Sequence, residues 1–273
     1  MKTVAELNEH ARRARINALK GIHAANSGHP GGSLSVIDIL TALYFNVMNV
    51  DPENPDMEGR DRLVLSKGHA CPGLYAVLAE RGYFPTEEML TFRQLNSRLQ
   101  GHPDMELCPG VDMSTGSLGQ GFSVATGMAI ADKIDGKDRK TFAVTGDGEL
   151  QEGIIWEAAL SAASHKLGNF IAVVDWNNLQ IDGVVDEVKK VSPIDEKFAA
   201  FGWRTIMCDG HDMQSLLDAF AEAVKSDGRP TAVIAKTHKG HGVSFMEDQA
   251  GWHGKAPSDE QLAQAIEELG GDI

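Results

Sequence analysis

Short apolar runs alternate with longer amphipathic stretches along most of the chain. Five runs are rich in β-branched and other apolar residues and are continuous rather than alternating, which is typical of strands buried on both faces. They lie at residues 62–66, 141–145, 170–175, 205–208 and 231–235. Between these runs, apolar residues recur at the spacing of a helix. Examples are Leu118, Phe122, Ala125 and Ala129, and Leu216, Leu217, Phe220 and Val224. This order predicts an α/β fold with a doubly wound, mostly parallel sheet flanked by helices.

The sequence offers no obvious domain boundary. It contains no Pro/Gly/Ser-rich linker, low-complexity tract or internal repeat, although residues 51–56 form a clear turn signal. We therefore predict a single domain over residues 1–273. Ser258 and Gln261 have the spacing of a capping box that opens a last helix.

Composition and charge narrow the possible partners. The 273 residues are 42% hydrophobic and carry 25 Lys and Arg against 39 Asp and Glu, a formal net charge of −14. Because binding to phosphate backbones or anionic membranes needs clustered cations, we expect neither nucleic acid nor membrane as a partner. The first residues include no apolar leader, and no segment approaches the ~18 apolar residues of a membrane span, so we expect a cytoplasmic protein. Cys71, Cys108 and Cys208 are few and far apart, which predicts reduced thiols.

Unusual polar and glycine-rich segments follow four of the five predicted strands. They are Lys67-Gly68-His69-Ala70, Gly146-Asp147-Gly148-Glu149, residues 175–179 and residues 236–242. In a sheet of this kind, ligands bind beyond the carboxyl ends of the strands. These segments therefore predict a functional site at that edge of the sheet.

Two of these segments contain the ligands of a hard cation. Asp147 ends one predicted strand, and Asn177 ends the next strand, thirty residues later across a crossover helix. A carboxylate, an amide oxygen and a free carbonyl, such as that of Leu179, form an oxygen-only set that suits Mg²⁺ or Ca²⁺. Taken alone, Gly146-Asp147-Gly148 is weak evidence of a function, because a tight turn is the simpler explanation of it.

The spacing of this Gly-Asp-Gly and Asn-Asn pair resembles the thiamine-diphosphate-binding motif, and further segments resemble transketolase in the same order. These are Ala25-Asn26-Ser27-Gly28-His29-Pro30-Gly31, Leu65-Ser66-Lys67-Gly68-His69-Ala70, Gly101-His102-Pro103, Thr115-Gly116-Ser117-Leu118-Gly119-Gln120-Gly121, Gly146-Asp147-Gly148-Glu149-Leu150-Gln151-Glu152-Gly153 and Trp252-His253-Gly254-Lys255. Together they extend over almost the whole chain. The resemblance implies thiamine diphosphate and Mg²⁺ as cofactors, with Ca²⁺ able to replace Mg²⁺.

The resemblance also implies roles for individual residues. It assigns the metal to Asp147, Asn177 and the carbonyl of Leu179, and the cofactor to His69, Gly116, Ser117, Leu118, Gly148, Glu152, Asn177, Lys239 and His253. Gly148 would approach the diphosphate, residues 116–118 the aminopyrimidine, and Glu152 the contact between two active sites. His29, His102 and His253 would line the substrate channel and assist proton transfers.

Several of these residues also have simpler interpretations. The loop at residues 115–121 could be a tight turn into a helix, since glycine also permits close packing. Glu149 could be a first-turn charge that interacts with a helix dipole. The remaining single histidines, His10, His23, His165 and His211, are interpreted as surface or hydrogen-bonded core residues.

The resemblance covers the first, diphosphate-binding domain of a three-domain enzyme. In that family, the glutamate that activates the pyrimidine ring belongs to the second domain. We therefore expect a split transketolase, in which a second chain supplies the pyrimidine and C-terminal domains and two copies of each chain assemble. It would transfer a two-carbon ketol unit from a ketose phosphate to an aldose phosphate.

Three alternatives stay open at this point. The first is a split ketol transferase for an unusual sugar, such as a branched or sulfonated ketose. The second is an enzyme similar to deoxyxylulose-phosphate synthase or to the alpha subunit of a 2-oxo acid dehydrogenase, although paired Gly-His-Pro segments favour transketolase. The third is a non-catalytic cofactor-binding or regulatory module.

Overall fold

The computed structural model describes residues 1–271, so the last two residues of the predicted domain lie outside the described part. Its strands are β1 (Arg62–Leu65), β2 (Thr141–Gly146), β3 (Phe170–Trp176), β4 (Leu179–Gln180), β5 (Gly183–Val184), β6 (Arg204–Asp209) and β7 (Thr231–Lys236). Five of them form one sheet in the order β1-β2-β3-β7-β6, and all neighbours in it are parallel. Strands β4 and β5 form a separate antiparallel hairpin. The predicted parallel sheet is confirmed.

The helices confirm the predicted βα order, with a small shift at two ends. They are α1 (Val4–Ala24), α2 (Pro30–Ala42), α3 (Cys71–Arg81), α4 (Gln120–Ile134), α5 (Gly153–Ser164), α6 (Val185–Lys189), α7 (Ile194–Ala200), α8 (Met213–Ala223) and α9 (Asp259–Glu268). Leu118 was expected in a helix but precedes α4, because Gly119 has a left-handed φ of 82° that no helix accommodates. Val224 caps the end of α8 instead of continuing it. The capping box of Ser258 and Gln261 is present.

Both faces of the sheet are covered, which explains the continuous apolar runs. Within β3, Ile171 and Val173 belong to one core, whereas Ala172 and Val174 belong to the other, and all four side chains are fully buried. Helices α1, α2, α3, α8 and α9 cover the first face, and α4, α5 and α7 cover the second. Alternate residues point to opposite faces of a strand, so burial on both sides favours apolar residues at consecutive positions.

The described residues include no helix that is both long and apolar enough to cross a membrane. The three cysteines are free thiols, with Cys71 and Cys108 buried and Cys208 half-buried. The reduced state of these thiols in the cell stays a prediction.

The core between the sheet and α4 contains a group of aromatic rings. The Phe122 ring of α4 lies with its centroid 5.5 Å from that of Phe170 and 6.1 Å from that of Trp203. Phe122 and Phe170 are fully buried. Aromatic side chains contribute large buried areas, so this group fixes α4 on the sheet.

Replacing Phe122 by Ala should therefore lower the free energy of unfolding by about 3–5 kcal/mol, because the small side chain leaves a cavity among rigid neighbours. Ile134 lies on the same helix and is 78% exposed. Ile134→Ala is the matched control and should change stability by no more than about 0.5 kcal/mol. Urea unfolding of the two variants measures the difference, and equal losses would contradict the assignment of Phe122 to the core.

Candidate active site

A cleft of about 370 Å³ opens at the carboxyl edge of the sheet. Most of the residues predicted for the site line it: His29, His69, Gly116, Leu118, Asp147, Gly148, Glu152, Asn177, Leu179, Lys239 and His253. Two predicted residues are outside this lining. His102 lies beside it, since a Cβ atom on Gly116 would be 3.1 Å from the His102 ring. Ser117 is exposed at the surface.

A buried ion pair lies beneath the cleft. The Lys67 ammonium donates to the Asp175 carboxylate and, at 2.9 Å, to the carbonyl of Gly32. Asp175 also accepts hydrogen bonds from the hydroxyls of Ser35 (2.6 Å) and Thr237. Burial alone would raise the pKa of Asp175, but the Lys67 charge and these hydrogen bonds outweigh it and hold the pKa below its ordinary value. The ends of β1 and β3 are thereby joined to α2 and to the segment after β7.

Asp147 is the second buried carboxylate of the site, and it faces the cleft. It accepts hydrogen bonds from the backbone N–H groups of Gly148 (2.8 Å) and Asn178. Burial, followed by the nearby charge of Asp175, raises the pKa of Asp147 to about 7. The predicted approach of the Gly148 N–H to a diphosphate stays a prediction, because that N–H donates to Asp147 in this structure.

Two neutral oxygens complete a set that suits a hard cation. The Asn177 side-chain oxygen accepts from the backbone N–H of Leu179 at 3.1 Å, which fixes its orientation. The Leu179 carbonyl accepts from the Lys239 ammonium at 3.1 Å. Asp147, Asn177 and Leu179 line one cleft, and their carboxylate, amide and carbonyl oxygens are the ligand types of Mg²⁺ and Ca²⁺. The residues present therefore fit the predicted cation.

Lys239 reaches this set across the start of α2. Its side chain is 2% exposed, and its ammonium donates to His253 Nδ1 at 2.9 Å as well as to Leu179. Burial, followed by the charge of Lys67, lowers the pKa of Lys239 to about 8. A Cβ atom at Gly31 would be 2.9 Å from Lys239 Cε, so glycine is needed there for the lysine to pass.

Three histidines form a compact group at one side of the cleft. The ring centroids of His29, His69 and His253 are 5.1–5.3 Å apart in every pair. Burial and neighbouring positive charges lower the pKa of His29 to about 4 and that of His253 to about 3, so both rings are neutral near pH 7. Nδ1 of His29 is buried and has no hydrogen-bond partner within residues 1–271. The hydrogen-bonding capacity of this atom is therefore unsatisfied in the described structure.

Glu149 has a different role from the one that the helix-dipole interpretation gave it. Its buried carboxylate accepts four hydrogen bonds, from the Ser66 hydroxyl (2.6 Å), the Gly119 N–H (2.7 Å), the Thr145 hydroxyl (2.6 Å) and the Gly146 N–H (3.2 Å). The ends of β1 and β2 are thus joined to the glycine-rich loop before α4. Its partners Ser66 and Gly119 lie 83 and 30 positions away, so no local pattern identifies it.

The β4–β5 hairpin was also missed in the sequence. Its residues Gln180, Ile181 and Asp182 line the cleft next to Leu179. The pair Asp182-Gly183 is a sequence signal for a hairpin and could have predicted this one. In the structure, Gly183 has a φ of 131°, which residues with a side chain disfavour. Gly32, Lys67, Gly146 and Gln151 line the cleft as well and had been given no role in binding.

The other histidines support the simpler interpretation. His10 pairs with Glu80 and His23 with Asp259, and His165 is exposed. His211, Asp38 and His241 lie close enough to hold a metal ion. However, His211 Nε2 accepts the His238 backbone N–H at 2.8 Å, which places its proton on Nδ1, 2.7 Å from Asp38. Neutral His211 therefore has no free lone pair for a metal.

Comparison with known proteins gives a consistent family. The model of the transketolase thiamine diphosphate binding domain matches residues 7–273. The chain belongs to the transketolase family. It is 43% identical over 264 residues to a 6-deoxy-6-sulfo-D-fructose transketolase subunit of a Clostridium species, covering 97% of this chain and 96% of that protein. It is 45% identical over 242 residues to an apulose-4-phosphate transketolase subunit of Actinobacillus succinogenes, covering 89% and 87%.

Solved transketolases have the same fold over the whole chain. The Campylobacter jejuni transketolase superposes with a TM-score of 0.92 at 36% identity, covering 100% of this chain and 44% of that chain. The Leishmania mexicana transketolase gives 0.92 at 32% identity, covering 100% and 42%. This chain therefore spans less than half of these longer transketolases, whereas it matches most of the two subunits.

The neutral histidines predict a pH-dependent stability. In the unfolded chain, imidazoles take up protons near pH 6.5, whereas folded His29 and His253 do so at about 4 and about 3. The unfolded state therefore binds more protons than the folded state below pH 6.5. As a result, these two residues lower the free energy of unfolding as the pH falls toward 4. The double variant with His29→Gln and His253→Gln should lose less free energy of unfolding than the wild type between pH 7 and pH 5, as measured by urea unfolding. His165→Gln is the control and should keep the wild-type difference. Identical pH dependence in all three proteins would contradict the burial of neutral rings.

Proposed function

We propose that this chain is the diphosphate-binding, N-terminal subunit of a two-chain transketolase. With Mg²⁺ and thiamine diphosphate, the enzyme would transfer a two-carbon ketol unit from a ketose phosphate to an aldose phosphate. The observation that carries the proposal is the convergence of the Asp147, Asn177 and Leu179 oxygens with three neutral histidines in one cleft. Residues 1–273 would form one cofactor-binding domain in the cytoplasm.

The cleft offers a separate group of contacts for each part of the cofactor. Asp147, Asn177 and the Leu179 carbonyl would hold Mg²⁺, or Ca²⁺ in its place, and the cation would offset the negative charge of the diphosphate. Gly148, His69 and Lys239 are next to that position and would contact the diphosphate. The loop of Gly116, Ser117 and Leu118 would face the aminopyrimidine, and Glu152 would lie at the contact between two active sites. Bound thiamine diphosphate supplies the nucleophilic carbon and the electron sink for cleaving and forming a carbon–carbon bond.

The hydrogen bonds of the histidines assign donors and acceptors toward the sugar. His253 Nδ1 accepts from the Lys239 ammonium, so the proton of the neutral ring is on Nε2. His253 Nε2–H would therefore donate to a sugar oxygen. His29 lines the same cleft, and its neutral ring would exchange a hydrogen bond or a proton with a sugar hydroxyl. His102, at the edge of the cleft, would contact the sugar farther from the cofactor.

The partner chain is part of the proposal. A transketolase also needs the group that activates the pyrimidine ring, which the family places in its second domain. The similarity to proteins named as subunits, which this chain matches over most of their length, supports a separate chain with that domain. We propose an assembly with two copies of each chain.

A second candidate function differs in the sugar. The two subunits compared above are named for 6-deoxy-6-sulfo-D-fructose and for apulose 4-phosphate, a sulfonated ketose and a sugar phosphate. The same cleft would then serve a ketol transfer from an unusual ketose. Comparing these two ketoses with xylulose 5-phosphate as donors, at equal enzyme concentration, identifies the sugar by the highest kcat/KM.

The metal-site assignment predicts a selective loss of cofactor binding. Asp147→Asn removes the anionic ligand and should weaken the binding of Mg²⁺ and thiamine diphosphate roughly 100-fold or more. Asp182 lines the same cleft but is exposed, so Asp182→Asn is a control of matched charge and should bind nearly as the wild type does. Calorimetric titration of the two-chain complex measures both. Full cofactor affinity in Asp147→Asn would show that the metal site is wrong.

The two-chain arrangement predicts that the purified chain alone is inactive. Ketol transfer from xylulose 5-phosphate to ribose 5-phosphate should be absent with this chain, thiamine diphosphate and Mg²⁺, and should appear on adding a lysate of the source organism. The lysate should come from cells that lack this chain, so that any activity requires the added protein. Turnover by the chain alone would refute the split enzyme. Inactivity with every donor in both conditions would favour a non-catalytic cofactor-binding module.

A further inference from the structure

One arginine connects the two loops that carry His29 and His102. Arg93 Nη1 donates to the Ser27 hydroxyl at 2.7 Å, and Nη2 donates to the Gly101 carbonyl at 3.4 Å. Ser27 is two residues before His29, and Gly101 directly precedes His102. A planar guanidinium donates in two directions at a fixed angle, which an ammonium does not. A single side chain therefore bridges the two loops.

Arg93 is exposed to solvent, but its position is restrained from three sides. Its backbone has a left-handed φ of 59°, which is uncommon outside glycine, and its N–H donates to the Leu99 carbonyl at 2.9 Å. Its guanidinium lies 5.4 Å from the centroid of the buried Phe92 ring. A Cβ atom on Gly101 would be 2.9 Å from Arg93 Nε, so the guanidinium fits closely against that loop. A side chain with this much support orients what it contacts.

The charge of Arg93 is not neutralised locally. Within residues 1–271, no carboxylate forms an ion pair with it, whereas Arg98 in the same loop pairs with Glu88 at 3.0 Å. After burial, the Arg93 charge is the largest cause that lowers the pKa of His29 and of His102. The charged or titratable groups that lower the pKa of His29 are Arg93, His102 and Lys239. The rings of His69 and His253 are in contact with the His29 ring. The pKa of His102 is lowered by the charge of Arg93.

We propose that Arg93 is a positioning residue of the ketol transfer, which holds the His29 and His102 loops in register and places a positive charge beside both loops. The proposal rests on the proposed function for its effect on catalysis. Its geometric and electrostatic parts concern this chain alone. The side chain would act through the two histidines rather than by contact with the cofactor.

The electrostatic part is tested on the chain without any partner. NMR titration of the imidazole carbons gives the pKa of His102, with His102→Gln to assign the signal. Arg93→Gln should raise this pKa toward 6.5, whereas Arg93→Lys keeps the charge and should leave it lowered. Arg98→Gln is the control of matched charge and loop, and it should titrate as the wild type. An unchanged His102 pKa in Arg93→Gln would overturn this part.

The positioning part is tested in the two-chain complex. Arg93→Lys reaches only one of its two acceptors, so we expect at least a tenfold higher KM for the ketose with the acid limb of the kcat/KM profile unshifted. Arg93→Gln should raise KM similarly and also move that limb to higher pH. Arg98→Gln should change neither. Arg93 variants that match Arg98→Gln in KM and pH profile would overturn the proposal.

The two experiments separate the proposals from each other. A complex in which even the wild type shows no ketol transfer would overturn the proposed function, while the NMR titration still decides the influence of Arg93 on His102. Thiamine diphosphate affinity, measured by calorimetry, should stay within threefold of the wild type in Arg93→Lys. A large loss there would place Arg93 in cofactor binding instead and overturn its role in the sugar channel.

Discussion

The buried pair of Lys67 and Asp175 is the constraint from which the site is built. Transferring two opposite charges from water to a protein interior is costly, and their attraction compensates only when further hydrogen bonds satisfy both groups. Here Ser35, Thr237 and the Gly32 carbonyl provide them. Because the pair and these partners come from α2 and from the ends of β1, β3 and β7, the pair fixes the distance between the elements that surround the cleft.

The site could be predicted from the sequence where it depends on strand ends. Asp147 and Asn177 follow neighbouring strands, and the carboxyl ends of parallel strands meet at one edge, so their proximity follows from the apolar runs alone. The continuous runs were informative because both faces of the inner strands β2, β3 and β7 are covered. Glycine-flanked motifs then identified His29, His69 and His253 through the resemblance to transketolase, and the structure places all three in one group.

The supporting interactions could not be predicted because they join distant segments through single atoms. Glu149 receives its hydrogen bonds from Ser66 directly after β1, from β2 and from the glycine-rich loop, and nothing local distinguishes it from a surface glutamate. His102 could be associated with the site but not positioned, since its neighbour Gly116 is fourteen residues away in an irregular loop. Loops have no repeating geometry from which a side-chain direction can be inferred, whereas strands and helices do.

The narrow passage at Gly31 has a consequence for protein engineering. Lys239 crosses the first turn of α2 at a distance that leaves no space for a methyl group, and the Trp252 carbonyl closes the other side at 3.0 Å. Most members of a mutant library that randomises this turn would displace Lys239 and disrupt the site, because any side chain at position 31 would crowd it, although Gly31 itself has no side chain. Redesign of the sugar preference should therefore vary the rim of the cleft and leave this helix start unchanged.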